Sequence, residues 1–161
     1  MPVVVRPMQA DEARRFLEIH HESVRGLAAK DYPATVIEAW APPITDERLQ
    51  RFLQNRDSEI RLVAELDGTS AGIGAIVVGN SELRACYVLP NAARRGIGSA
   101  IVAEIERIAR EHGLNHLTLE SSVTAEPFYA ALGYGIVEKL GEYAIAPGVR
   151  MSAVKMRKQL D

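Results

Sequence analysis

A single cysteine, Cys86, stands in the 161-residue chain, so no disulfide can form within it. A reducing compartment suits such a chain best. Long apolar runs are also missing: the longest, Ala71 to Gly79, is too short to cross a bilayer. No long apolar stretch of the signal-peptide kind follows the N-terminus. A cytoplasmic location and no membrane partner are therefore expected. A basic surplus is absent too, since 19 Lys and Arg face 21 Asp and Glu for a net charge of -2. A general nucleic-acid binder needs a basic face to displace counterions, so that class is disfavoured. There is no Gly-Lys-Ser/Thr, which excludes a Walker loop. His20 and His21 are adjacent and point to different faces, with no carboxylate motif at ligand spacing, so no metal is expected.

What is present fits one domain over residues 1–161, with 47% hydrophobic and 25% charged residues and no repeats or linker. Val3-Val4-Val5, closed by Pro7, reads as a strand. Apolar spacing from Ala13 to Val24 predicts a helix over 10–25. Pro33 opens a short helix to Trp40, and Thr45 or Asp46 caps another carrying Leu49, Phe52 and Leu53. Tyr32 and Trp40 read equally well as a substrate wall or as core anchors. From residue 60 the period becomes that of strands. Ile60–Leu66, the turn Asp67-Gly68, Ala71–Val78, the turn Gly79-Asn80 and Glu82–Leu89 form an antiparallel meander. Ile97, Ile101, Ile105 and Ile108 line one face of a helix that Gly113 stops. A strand at 116–120, a helix at 127–132 and two strands at about 134–146 and 150–158 complete the chain.

The stretch from Cys86 to Ile108 organises the rest. A β-prone run is stopped by Pro90, passes through a basic loop with Gly96 and Gly98, and becomes an amphipathic helix. Glycine lets a ligand approach the backbone, and the first helical N–H groups have no internal partner. Those groups and the helix dipole favour a phosphate. A dinucleotide fingerprint fails, because Ile101 stands where its third glycine belongs.

Val88-Leu89-Pro90, Gly96-Ile97-Gly98 and then Ala125-Glu126-Pro127-Phe128-Tyr129-Ala130-Ala131-Leu132-Gly133-Tyr134 resemble the GNAT superfamily of acetyl-CoA-dependent N-acetyltransferases. The resemblance covers essentially the whole chain and is specific from 82 to 135. It implies a single-domain α/β fold, a mixed antiparallel and parallel twisted sheet of about six to seven strands flanked by about four helices. It also implies acetyl-CoA as co-substrate, without a metal, and an acceptor that is a primary amine of a small molecule or peptide. The cofactor-binding set it implies is Tyr87, Val88, Leu89, Arg94, Arg95, Gly96, Ile97, Gly98, Ser99, Ser122 and Phe128. The pantetheine amides would pair with the open backbone edge at Tyr87 and Val88. Two positions depart from the pattern. Ala93 stands where the family carries Arg or Gln, and Ser122 where it often carries Asn. Arg94 or Arg95 is expected to replace the missing side chain.

Acetyl transfer to an amine needs a proton acceptor, a donor for the carbonyl oxygen and an acid for the leaving thiolate. By resemblance Tyr129 takes the acid's place. Glu82 is the leading base, with Glu120, His20 and ordered water as alternatives. Cys86 has no partner that would make it a nucleophile and reads as a small apolar residue. A non-catalytic acyl-CoA-binding module on the same fold is the alternative function. A homodimer through an edge strand is left open.

Overall fold

The computed structural model describes residues 2–161. Seven strands form one mixed sheet, and five α-helices accompany it. In chain order they are β1 (Val3–Pro7), α1 (Ala13–Ser23), α2 (Ala34–Trp40), α3 (Asp46–Gln54), β2 (Ile60–Leu66), β3 (Thr69–Val77) and β4 (Glu82–Val88). Then come α4 (Ile97–Glu111), β5 (His116–Ser122), α5 (Glu126–Ala131), β6 (Gly135–Ala146) and β7 (Val149–Gln159). The spatial order is β1-β2-β3-β4-β5-β7-β6, so β7 inserts between β5 and β6. Every neighbouring pair is antiparallel except β4 and β5. No helix among the described residues is long and apolar enough to cross a membrane.

Helix termini follow their sequence signals. Thr45 caps α3 by accepting from the Arg48 N–H at 3.1 Å. Pro33, extended at φ -70°, precedes α2. The helix expected over 10–25 runs longer than its apolar spacing suggests. A 3-10 turn at Ala10–Glu12 leads into α1, and a widened π-type turn carries the chain on to Ala28. That extra turn brings Val24, Leu27 and Ala28 beside the glycine loop, where they line a cavity.

The core lies between the sheet and its helices. Ala71–Val77 of β3 is buried throughout, and α4 lies across it at Gly72 and Gly74. A methyl group at Gly74 would overlap the Ile101 side chain, and one at Gly72 would lie 2.9 Å from Ile97 and 3.0 Å from Ile101. Glycine in mid-strand usually weakens a sheet. Here it lets the isoleucine face of α4 approach closely, with Ile97, Ile101 and Ile105 at most 1% exposed.

The feature that makes a site is the parting of β4 from β5. The two strands pair only at Glu82 and Thr118, where the Thr118 N–H donates to the Ser81 carbonyl at 2.8 Å. β4 carries a bulge at Arg84, since Ala75 faces Ala85 whereas Ile76 faces Leu83. A bulge bends its strand, and from Arg84 onward β4 turns away from β5. The gap opens toward Pro90 and the glycine loop.

Candidate active site

Two cavities occupy the gap and meet at its wide end. One, of about 460 Å³, lies against the glycine loop. The other, of about 440 Å³, extends back toward the closed end of the gap. Trp40, Cys86, Tyr87, Ser122 and Ala125 line both. A ligand in each would therefore meet between β4 and the end of β5.

The loop-side cavity is built around the start of α4. Gly96 takes φ +81° as the residue before the helix, and Arg94 takes φ +66°. The first helical bond runs from Ala100 N–H to the Gly96 carbonyl at 3.0 Å, so the Ile97, Gly98 and Ser99 amides lie ahead of the hydrogen-bonded turns. No side chain caps them. A methyl group on Gly98 would come 2.9 and 3.0 Å from the Phe128 ring. Glycine there lets the start of α4 sit against α5.

Most residues expected to hold the cofactor line this cavity: Tyr87, Val88, Arg94, Gly96, Ile97, Gly98, Ser99, Ser122 and Phe128. Leu89 and Arg95 do not. The Leu89 side chain turns into the core, and its N–H donates to the Ala71 carbonyl at 2.8 Å. Arg95 is exposed and outside the lining, whereas Ala93 and Arg94 are within it. Lys30, from the segment after the π-type turn, also lines the cavity, and nothing in its local sequence marks it. The Ser122 hydroxyl accepts from the Ala125 N–H at 3.2 Å, fixing the turn that precedes α5.

In the second cavity Tyr129 stands near the junction. Its ring packs between Phe128 and Tyr134, with centroids 5.1 and 5.9 Å away. Burial, and then the neighbouring Cys86 and Tyr87, hold its phenol well above the usual tyrosine range, so it stays protonated at neutral pH. Cys86 is likewise pushed up to about 12 by burial. It is a thiol at neutral pH and its sulfur lies 3.7 Å from the Gly98 carbonyl. Both properties suit a packing residue.

Glu82, half-buried, and Glu120, exposed, both line the second cavity, at the end where β4 and β5 pair. The Glu82 carboxylate accepts from Arg84 Nε at 2.9 Å and Nη2 at 3.0 Å. Burial raises its pKa, but the Arg84 hydrogen bonds and charge outweigh that and leave it below the usual range. A carboxylate so held is a poor proton sink. Arg84 also reaches Asp57 at 2.9 Å and Glu59 at 3.3 Å.

His20 lies outside both linings. Its ring meets Tyr87 edge-on at 4.6 Å, and its buried Nδ1 has no hydrogen-bond partner among the described residues. Burial, then the charges of Arg48 and His21, lower its pKa to about 4. The unfolded ring titrates near 6.5, so between these values the unfolded chain binds more protons. This contribution to stability is full above about pH 6.5 and is lost as pH falls through about 4. Melting temperatures measured from pH 7 to 4 are expected to fall, and His20→Leu should flatten that part of the decline. An equally steep decline in the variant would assign the loss to other groups.

Of the two aromatics with open readings, Tyr32 is an anchor. Its hydroxyl donates to the Ser152 carbonyl at 2.6 Å and accepts from the Val123 N–H at 2.8 Å. Trp40 instead lines both cavities, and Tyr143 forms part of the second.

Comparison with known proteins agrees with this geometry. A family described as acetyltransferase (GNAT) domain matches residues 28–160. The chain is 25% identical over 148 residues, 86% of its length and 91% of the other, to the uncharacterized N-acetyltransferase YedL of Escherichia coli (strain K12). A crystal structure from Rhodopseudomonas palustris, described as a GCN5-related N-acetyltransferase (aminotransferase, class-II), superposes with a TM-score of 0.90. It is 25% identical, and the match covers 99% of this chain and 97% of that one. The PaiA N-acetyltransferase of Thermoplasma acidophilum, solved with coenzyme A, gives a TM-score of 0.78 at 21% identity, covering 99% of each chain.

Proposed function

The chain belongs to the GNAT acetyltransferase family, whose members are acyl-CoA-dependent acetyltransferases, and we propose that it moves an acetyl group from acetyl-CoA to a primary amine by direct attack. The observation that supports this most is the pair of cavities meeting between β4 and β5. The donor belongs in the loop-side cavity, where helix-start amides and a φ-positive glycine suit a pyrophosphate. The acceptor belongs in the other. When bound, the donor supplies an acetyl group activated as a thioester.

The chain's own residues divide the remaining work. Ile97, Gly98 and Ser99 offer backbone N–H groups, and Arg94 with Lys30 supplies positive charge around the gap left by Ala93. The free edge of β4 at Tyr87 and Val88 suits the strand-like amides of a pantetheine arm. Overall a C–S bond breaks, a C–N bond forms, the nitrogen loses a proton and the sulfur gains one. Tyr129 is the donor toward the sulfur. Glu82, tied to Arg84 at the closed end, is better suited to hold a charge than to take the proton directly. The proton leaves the nitrogen through water in the acceptor cavity.

The loop assignment has a direct test. Calorimetry of coenzyme A binding should show Arg94→Ala weakening affinity about fivefold, the worth of one partly exposed charge-assisted contact of about 1 kcal/mol. Arg95→Ala should bind as the parent does. The reverse order would return the contact to Arg95.

A further inference from the structure

The acceptor cavity has a direction. Its wide end, at Cys86, Tyr87, Ser122 and Ala125, adjoins the donor cavity, and its closed end holds Glu82 and Glu120. Glu120 and Ser122 share one face of β5 and, at about 3.3 Å per residue, stand about 7 Å apart. Glu82 and Cys86 are four positions apart on β4, about 13 Å by the same measure. Between the ends the wall is apolar or aromatic, with Ala85, Met151 and Ala153 facing Trp40, Tyr87 and Tyr143.

Charge along this cavity is one-sided. Its charged lining residues are Glu82, Arg84 and Glu120. Arg84 is already shared among Glu82, Asp57 and Glu59, which leaves it little to offer an anion. Glu120 forms no ion pair within 4.0 Å among the described residues. Tyr143 lies beside it, and that carboxylate, chiefly, raises the phenol to about 12. Lys155 faces Glu120 across the β5–β7 register and borders the shallow recess beyond the closed end. With Asp57 and Glu59 counted, four carboxylates face three cations around that end: Arg84, Lys155 and Arg61, which pairs with Glu59 at 2.8 Å.

Resting on the transferase reading above, we propose that the acceptor is a linear amine with a second cationic centre, which Glu120 and Glu82 hold at the closed end of the cavity. An ammonium there gains charge-assisted hydrogen bonds chiefly from Glu120, which no cation pairs within 4.0 Å among the described residues, beside a Glu82 already bonded to Arg84. An alkyl spacer lies against the apolar and aromatic middle of the wall. The reacting nitrogen then stands at the junction. A terminal carboxylate would meet two acids and a saturated arginine.

Three primary amines of matched length test this: diaminobutane, butylamine and γ-aminobutyrate, alike except for the charge at the far end. Coenzyme A thiol release is followed with acetyl-CoA in excess. Diaminobutane should exceed butylamine in kcat/KM by about tenfold or more, the worth of a charge-assisted contact, and γ-aminobutyrate should rank last. Glu120→Gln should shrink the diamine's advantage to within about threefold, mainly through KM. Its acetyl-CoA affinity, read by calorimetry, should stay unchanged. Equal turnover of the diamine and butylamine, or preference for γ-aminobutyrate, overturns the proposal while leaving amine acetylation standing. No thiol release with any amine, despite measured acetyl-CoA binding, overturns both.

Discussion

Tyr129→Phe is expected to lower kcat by about a hundredfold while leaving the dissociation constant of acetyl-CoA within about twofold, since general acids and preorganised donors contribute about that much. The change removes one oxygen and keeps the ring. Packing against Phe128 and Tyr134 at 5.1 and 5.9 Å persists, so the fold should melt as before. The phenol's raised pKa shapes the expectation further. It is present in its donor form throughout the neutral range, so the tyrosine itself should add no pH dependence to kcat below about pH 10. A high pKa also makes it a weak acid, so in the proposed reaction its main service would be a hydrogen bond that steadies charge on the leaving sulfur. A variant that keeps full turnover would move that service to another group.

The second large effect concerns stability. Glu106→Ala should destabilise the protein by about 3 kcal/mol, the low end of the cost of breaking a buried ion pair, because the Lys158 side chain is 26% exposed. Glu106, 7% exposed, accepts from Tyr134 Oη at 2.8 Å and from Lys158 Nζ at 3.1 Å on each oxygen, with Arg110 at 3.8 Å. Alanine would leave the Lys158 ammonium and the Tyr134 hydroxyl without their acceptor. At about 2–4 °C per kcal/mol for a chain of this size, Tm should drop by roughly 6–12 °C. Tyr134→Phe, which removes a single hydrogen bond, should cost only about 1 kcal/mol. Equal losses in the two variants would mean that Lys158 gains little from Glu106. The network ties α4 to β7 and to the turn after α5, and so holds the helix whose start lines the loop-side cavity.

Glu106 also marks where the sequence stops being readable. In a helix whose apolar face is drawn by Ile97, Ile101, Ile105 and Ile108, a glutamate next to Ile105 looks solvated. Its burial depends on Tyr134 and Lys158, 28 and 52 positions away. The strands and helices themselves were legible, because period and caps are local: Thr45, Pro33 and Asp67-Gly68 act where they stand. The insertion of β7 between β5 and β6 was not, since hydrogen-bond pairing across a sheet leaves no local mark. Gly72 and Gly74 lie within an apolar strand run, and the close approach of α4 that requires them leaves no local mark.

The site divides in the same way. The glycine loop was visible because its anion-binding groups are consecutive backbone amides, and Gly96, Ile97, Gly98 and Ser99 all line the loop-side cavity. Leu89 and Arg95 belong to the set the resemblance implies, but the side chain of one turns inward while the other stays in solvent. Lys30 and Met151 reach the cavities from distant segments that carry no motif. Arg84 carries no motif either, yet it sits at the β4 bulge and holds Glu82.

The most direct measurement of acetyl transfer is release of coenzyme A thiol from acetyl-CoA across a panel of primary amines, with the acetylated product identified by mass. Amine-dependent thiol release, matched one to one by N-acetyl product and suppressed in Tyr129→Phe, is the expected result. Tight acetyl-CoA binding with no amine-dependent thiol from any member of the panel would contradict it, and would make the two cavities a binding module instead of an active site.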